Sequence, residues 1–253
     1  MKRVTLAAML ASCAAAVLAQ TILPLSPLLQ GGDALSTEWR FVGFPKNQAE
    51  IPPTRFEAGV VGGEPALKVV TDRSYGTWVN GWRGPAPARL QWRWRLDEPL
   101  TGGRSAPDLL SKAGDDAALK VCVMFDHSLD RVPFIERTLL RVARSVSGAP
   151  LPAATLCYVW DSAGASGVQG ANPYTRRVRF ISLRGRDAPL ERWVSESRDV
   201  AQDFAALFAD ELPQGAQAPD ADLPPVNTVL IGADSDNTAS RSLGWVVDLR
   251  WGR

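Results

Sequence analysis

Leu90-Gln91-Trp92-Arg93-Trp94-Arg95-Leu96 decides the fold. Side chains alternate between the two faces of an extended chain, so Leu90, Trp92, Trp94 and Leu96 share one face while Arg93 and Arg95 point the other way. The same period recurs outward from this strand. Upstream, Leu67 to Val70 is a short β-prone run. Downstream, Ala117 to Phe125 turns Leu119, Val121, Val123 and Phe125 inward. Its opposite face carries Lys120, Cys122 and Met124, too apolar for full exposure, which predicts a central strand covered on both sides. Thr155 to Trp160, Arg177 to Leu183, Trp193 to Ser197, Val226 to Ile231 and Leu243 to Trp251 complete the set. In the last of these, Trp245, Val247, Leu249 and Trp251 form one predicted face, opposite Asp248 and Arg250.

Two helical patterns interrupt the strands. Val132 to Val146 places Ile135, Leu139, Val142 and Val146 on one stripe, with Glu136, Arg137, Arg141 and Arg144 mostly elsewhere and Gly148 as a stop. Asp199 to Leu212 places Val200, Phe204, Leu207 and Phe208 similarly, with Asp199 at the capping position. About eight strands with two inserted amphipathic helices, and no regular strand–helix alternation, predict a mainly β protein: an antiparallel β-sandwich. No repeat or linker divides the chain, so residues 37–253 read as a single sandwich domain. Residues 20–36, which include the Pro- and Leu-rich stretch Thr21 to Gly32, read as a loosely ordered approach to it.

The composition fits an ordinary folded chain. Of 253 residues, 45% are hydrophobic and 22% charged, which argues against disorder, a collagen-like repeat or a polytopic membrane protein. Arg outnumbers Lys heavily, and there are 9 Trp. Residues 1–19 have the layout of a secretory signal: Lys2 and Arg3, an apolar run from Val4 to Leu18, and small residues before a cleavage point after Ala19. The run is short for a membrane span, so the exported form carries no transmembrane segment. A second reading takes Leu10-Ala11-Ser12-Cys13 as a lipoprotein box with the protein lipid-anchored through Cys13. Cleavage after Ala19 removes two of 28 basic residues and none of 27 acidic ones, changing the net charge from +1 to about −1. That excludes the electrostatic footprint of a nucleic-acid binder. Cys122 and Cys157 then remain in an oxidising compartment. They either form a disulfide or pack as free thiols in their strands, and the apolar surroundings tip the reading towards free thiols.

An ordered series of motifs runs through the chain: Trp39-Arg40, Trp92-Arg93-Trp94-Arg95, Asp115-Asp116 opening a strand that ends in Phe125-Asp126, Tyr158-Val159-Trp160-Asp161, Trp193-Val194-Ser195-Glu196, and Asp234-Ser235-Asp236-Asn237-Thr238. Together they resemble the bacterial family of exported proteins called DUF3047, from about Trp39 to Trp251. The family is defined without a function, so the resemblance implies no catalytic residue. Its overall look is similar to the jelly-roll sandwiches of carbohydrate-binding modules, an analogy of fold that does not carry function.

No motif names a reaction, and the candidate sites follow from residue chemistry. Asp234, Asp236 and Asn237 alternate oxygen ligands on one loop and suit a hard cation such as a structural Ca²⁺. They lack the Gly and distal Glu of an EF-hand, and a tight turn bonded to its own backbone is the favoured alternative. Asp115 and Asp116 are separated from Asp126 and His127 by a whole strand, about 30 Å at ~3.3 Å per residue, and cannot form one acid/base pair with them. His127 reads as a solvated loop residue, since one His supplies no multi-His zinc site and no local motif supports a Ser-His-Asp triad. The Gly-rich loop 161–173 lacks the Gly-Lys-Ser/Thr ending of a nucleotide cradle. Tyr75, Trp78 and Trp82 lie in a Gly-containing stretch that reads as a partly exposed loop or edge strand, where aromatic faces could stack on sugars. Tyr174, beside Asn172, offers a similar face. Asp161, Glu196, Asp199, Asp234 and Asp236 could converge at one rim if their loops share an edge.

These candidates support three functions. The first is an exported, periplasmic envelope module that binds a glycan or similar surface ligand without catalysis, through Tyr75, Trp78, Trp82, Asp161, Tyr174 and Glu196. The second is a carbohydrate-active hydrolase or lyase using rim carboxylates. The third is a structural envelope protein with a protein partner, which an exposed apolar patch would mark. Oligomeric state is not legible in the sequence.

Overall fold

The computed structural model describes residues 23–44, 50–85, 89–147, 151–213 and 223–252. Residues 1–19, read above as a secretory signal, and with them Cys13 lie outside the described residues. In chain order the strands are β1 (Leu29–Gln30), β2 (Ala34–Leu35), β3 (Arg40–Val42), β4 (Arg55–Val61), β5 (Glu64–Asp72), β6 (Tyr75–Asn80), β7 (Arg89–Glu98) and β8 (Leu119–Phe125). Helix α1 (Phe134–Ser147) follows, then β9 (Ala154–Trp160), β10 (Gln169–Asn172), β11 (Thr175–Arg184), β12 (Val194–Arg198), helix α2 (Val200–Leu207), β13 (Val226–Asp234) and β14 (Arg241–Gly252).

Two sheets build the body. One has seven strands in the order β10-β11-β9-β8-β13-β6-β3, the other five in the order β12-β7-β14-β5-β4, and β1 and β2 pair separately. Pairing is antiparallel except between β9 and β11, which run parallel and depart from the wholly antiparallel expectation. The indoles of β7 join the sheets: Trp92 meets Tyr158 at 5.3 Å and Trp94 meets Trp160 at 5.4 Å between ring centroids. Leu67 and Val69, Val121 and Val123, and Val229 and Ile231 fill the same core. β8 is central, as its two-sided apolarity implies, with β9 and β13 as neighbours. Its outer face lies in a second apolar cluster with Val79, Leu109, Val159, Phe180 and Leu230.

Four expectations change in three dimensions. The predicted single face of the last strand splits at Asp248, where φ is +55° and the register with β7 shifts between Val247 and Arg250. One extra residue exchanges the faces of everything beyond it. Trp245 and Val247 therefore pack outside with Ala66, while Leu249 and Trp251 enter the main core. Residues 23–36 are anchored, not loose: Leu25 and Leu28 are buried in that core, and Trp39 Nε1 donates to the Ser26 carbonyl at 3.1 Å. Cys122 and Cys157 form a disulfide, because β8 and β9 place them directly opposite with Cα atoms 4.1 Å apart.

His127 is the fourth correction. It is buried, edge-on to Phe204, with Nε2 3.1 Å from Glu211 Oε2. A hydrogen bond to a carboxylate requires the proton on Nε2, and Nδ1 is left without a partner. Glu211 also accepts from Arg177 Nη1 at 2.7 Å and from Arg179 Nη2. Arg177 binds Glu136 of α1 as well. This buried network ties α1, β11 and the short turn after α2 together. α2 itself begins as expected, with the Asp199 carboxylate capping the Gln202 amide at 2.9 Å.

Candidate functional site

The seven-stranded sheet gathers carboxylates where β8 begins and β13 ends. Ala117 N donates to Asp234 Oδ1 at 2.8 Å and Lys120 Nζ to Oδ2 at 2.7 Å. Lys120 is the one charged side chain on the outer face of β8, and Asp234 neutralises it. Asp116 is buried under the turn after β13 and accepts from Thr238 N and Thr238 Oγ1, both at 2.6 Å. Asn237 Nδ2 donates to the Asp115 carbonyl at 3.1 Å, and Asn172 Nδ2 donates to the Asp115 carboxylate. Tyr75, paired with Asp234 in the ladder, closes one side by stacking on Phe44 at 4.1 Å.

The β10–β11 turn supplies the exposed part. Asn172 Oδ1 accepts from Tyr174 N at 2.9 Å and Thr175 N at 3.2 Å, which holds the turn. The Tyr174 hydroxyl lies 2.9 Å from the Lys112 carbonyl and 3.2 Å from Asn237 Oδ1. Tyr174 is 58% exposed and stands beside the carboxylates, with Lys112 Nζ 5.3 Å from its ring centroid.

The electrostatics separate these acids. Burial, reinforced by the Asp234 charge, pushes the Asp115 carboxyl up to about 7 against Lys120 and Asn172. Burial, with Asp234 and Asp116 behind it, raises Asp236 to about 6. Asp116 is raised by burial too, although the Thr238 hydrogen bonds oppose it. Burial works against the Lys120 ammonium, but Asp234, Tyr75 and Asp115 outweigh it and hold the group above its ordinary value. Near neutral pH Asp115 is therefore substantially protonated, able both to donate and to accept, beside a charged Lys–Asp pair.

Tyr75, Tyr174, Asp234, Asp236 and Asn237 come together here, with Asp115 and Asp116. The other residues read as site candidates do not join them. Trp78 lies on β6 inside the sheet, stacked on Phe56 at 5.7 Å, and Trp82 is buried against Trp251 with Nε1 donating to the Leu23 carbonyl. Neither is the exposed loop aromatic expected, because β3 and residues 23–28 cover them. Asp161 is buried and spends one carboxylate oxygen on Ala163 N and Gly164 N at 2.9 and 2.8 Å. Glu196, on the other sheet, accepts from Trp94 Nε1 at 2.9 Å and from Arg184 Nε at 2.7 Å. Asp199 is the α2 cap. The wide rim of five carboxylates thus does not form. For a cation, both oxygens of Asp234 are already engaged, and no group of three His, Cys, Asp or Glu among the described residues is placed to hold a metal.

Lys120 is the residue of this cluster that sequence reading passes over. The signal is present: a lone Lys on a doubly covered strand requires a buried carboxylate. Which carboxylate answers depends on the β8–β13 register. No curated protein matches the chain. A family model described as "Protein of unknown function (DUF3047)" matches residues 37–250. That span takes in both sheets and every carboxylate of the site, and the chain belongs to the DUF3047 family.

Proposed function

We propose that the site at Asp115, Asn172, Tyr174, Asp236 and Asn237 binds a polyhydroxylated ligand, a glycan segment of the cell envelope. The observation that carries this reading is the exposed Tyr174 ring beside the Asp115 carboxyl, whose value near 7 leaves it substantially protonated. An aromatic face takes the apolar side of a sugar ring, while carboxyl and amide groups exchange hydrogen bonds with its hydroxyls. The Cys122–Cys157 disulfide supports an oxidising, exported setting.

Calorimetric titration against neutral, amino-sugar and uronic-acid oligosaccharides tests the reading. Binding should appear for at least one class and fall about tenfold in Tyr174→Ala, which removes a stacking face worth roughly 1 kcal/mol or more. Silence across the panel, or wild-type affinity in the variant, overturns it. A second reading, glycan cleavage, is favoured by the raised Asp115 and Asp236 carboxyls lying in one cluster, since a carboxyl that keeps its proton near neutral pH can serve as a general acid. It predicts reducing-sugar release from the bound class, abolished by Asp115→Asn.

A further inference from the structure

The bulge in β14 opens a groove in the outer face of the five-stranded sheet. Trp92 and Trp94 face the core, so Gln91 and Arg93 face solvent, and the ladder sets them in two cross-strand rows: Ser195–Arg93–Val247 and Ser197–Gln91–Arg250. Between the rows β7 and β12 each have one residue, Trp92 and Glu196, whereas β14 has two, Asp248 and Leu249. Leu249 enters the core, and Asp248, at φ +55°, carries its carboxylate outward to within 2.8 Å of Arg93 Nε. Bulges re-aim side chains in this way and recur beside binding sites. The groove they leave here has a volume of about 380 Å³. Its floor measures about 7 Å between the rows and about 10 Å from β12 to β14, the room that a single sugar ring needs.

Its charges are unevenly matched. Arg93 is fully engaged: Nε donates to Asp248, both Nη atoms donate to Glu64, and the guanidinium lies 5.3 Å from the Trp193 ring. It holds Asp248 in place and keeps no free donor. Arg250 is exposed and makes no hydrogen bond or ion pair among the described residues. Arg89 pairs with Gly252, one row beyond Gln91 and Arg250, and its guanidinium meets no carboxylate among the described residues; its side-chain bond goes to Ser197 Oγ at 3.3 Å. Arg89 and Arg250 are therefore diagonal neighbours on one face, about 7–8 Å apart along the backbone, two like charges with no described counter-ion. Three arginines thus face two carboxylates, Glu64 and Asp248, and the positive surplus lies at the Arg89–Arg250 end. Along the floor, Ser195, Ser197 and Gln91 supply hydroxyl and amide groups that both donate and accept.

We propose that this groove binds an acidic sugar unit, a uronate, with its carboxylate between Arg89 and Arg250 and its ring hydroxyls on Asp248, Ser195 and Gln91. A guanidinium matches a carboxylate with paired, charge-assisted hydrogen bonds, and the Asp248 carboxylate accepts from hydroxyls that a second anion would repel. The groove lies on the other sheet from Tyr174, and the inference does not rest on the site proposed there.

Calorimetric titration of the full chain with oligogalacturonate and oligomannuronate, each also as its methyl ester, and with inorganic phosphate tests the assignment. At least one of the two acids should bind about tenfold or more tightly than its uncharged ester, and added salt should weaken that binding. Arg89→Gln and Arg250→Gln, both at exposed positions, should keep the thermal midpoint and each lose about tenfold in affinity for the acid, while Tyr174→Ala binds it as the wild type does. No binding of either acid, equal affinity for acid and ester, or wild-type affinity in both arginine variants overturns the proposal. Phosphate bound as tightly as the acids would make this a general anion site and overturn the sugar assignment. Loss in Tyr174→Ala with both arginine variants unchanged would place uronate at the Tyr174 site, overturning this inference while sustaining that reading.

Discussion

Replacing Asp115 by Asn should make the protein more stable above neutral pH and change little in acid. In the native state burial and the Asp234 charge raise this carboxyl from 3.8 to about 7. Between about pH 4 and pH 7 the native protein therefore holds a proton that the unfolded chain has released, so stability falls as pH rises through that window and levels off above it. Taken whole, a shift of that size is worth roughly 4 kcal/mol at ~1.36 kcal/mol per unit. Asp115 is only partly buried, and solvent screens its charge, so about 1–3 kcal/mol is the expected effect. The amide introduced by the change would still accept a hydrogen bond from Asn172 and would carry no charge beside Asp234. Urea denaturation of both proteins at about pH 5 and about pH 8 checks the reasoning. The variant-minus-wild-type stability should grow by about 1–3 kcal/mol between the two. The opposite dependence of Glu211 and Asp210, held low by arginines despite their burial, is common to both proteins and cancels. Parallel profiles would show that Asp115 is ionised at little cost, and the description of the site as holding a protonated carboxyl would fail.

Other outcomes follow from the same structure. Glu211→Gln leaves Arg177 and Arg179 buried without their shared carboxylate and should cost about 3–5 kcal/mol in chemical denaturation, whereas a loss under about 1 kcal/mol would mean the network is solvated. Reducing the disulfide, or making Cys122→Ala/Cys157→Ala, opens a loop of 35-residue separation and should lower stability by about 3–4 kcal/mol, measured by thermal and urea unfolding. Gly185→Ala would drive a Cβ to within 2.5 Å of the Gly164 carbonyl and 2.6 Å of Ser166 N, both backbone. It should destabilise by roughly 1–3 kcal/mol, and an unchanged melting point would show that the 164–166 turn yields freely.

The strands on either side of the core are legible because period-two alternation is local. Leu90 to Leu96 and Leu119 to Phe125 state their faces by residue type alone. β3, β4 and β10 do not read as strands, because few apolar residues alternate there and pairing with neighbours makes them extended, and β6 reads as a loop or edge strand although it lies inside its sheet. For the site, Asp234, Asp236, Asn237 and Tyr174 are visible as chemistry, and so are Asp115 and Asp116. Their association is not, since Asn172 and Asp115 are 57 residues apart, as are most partners in this cluster by that much or more. Trp78 and Trp82 mislead for the converse reason: glycines around them suggest exposure, and only the packing of residues 23–28 and β3 covers them.

By itself the sequence determined which residues of β7 and β8 face the core, where α2 starts, and that two cysteines sit in neighbouring apolar runs, because each depends on interactions within a few residues. The tertiary structure alone decided the rest. A single extra residue at Asp248 exchanged the faces of the last strand, and the β8–β9 register turned two cysteines into a disulfide. The β8–β13 register gave Lys120 its counter-ion. The contacts of Glu136 with Arg177 and of Leu140 with Val132 and Ala153 fix which side of α1 meets the body, and its apolar stripe faces outward as a result.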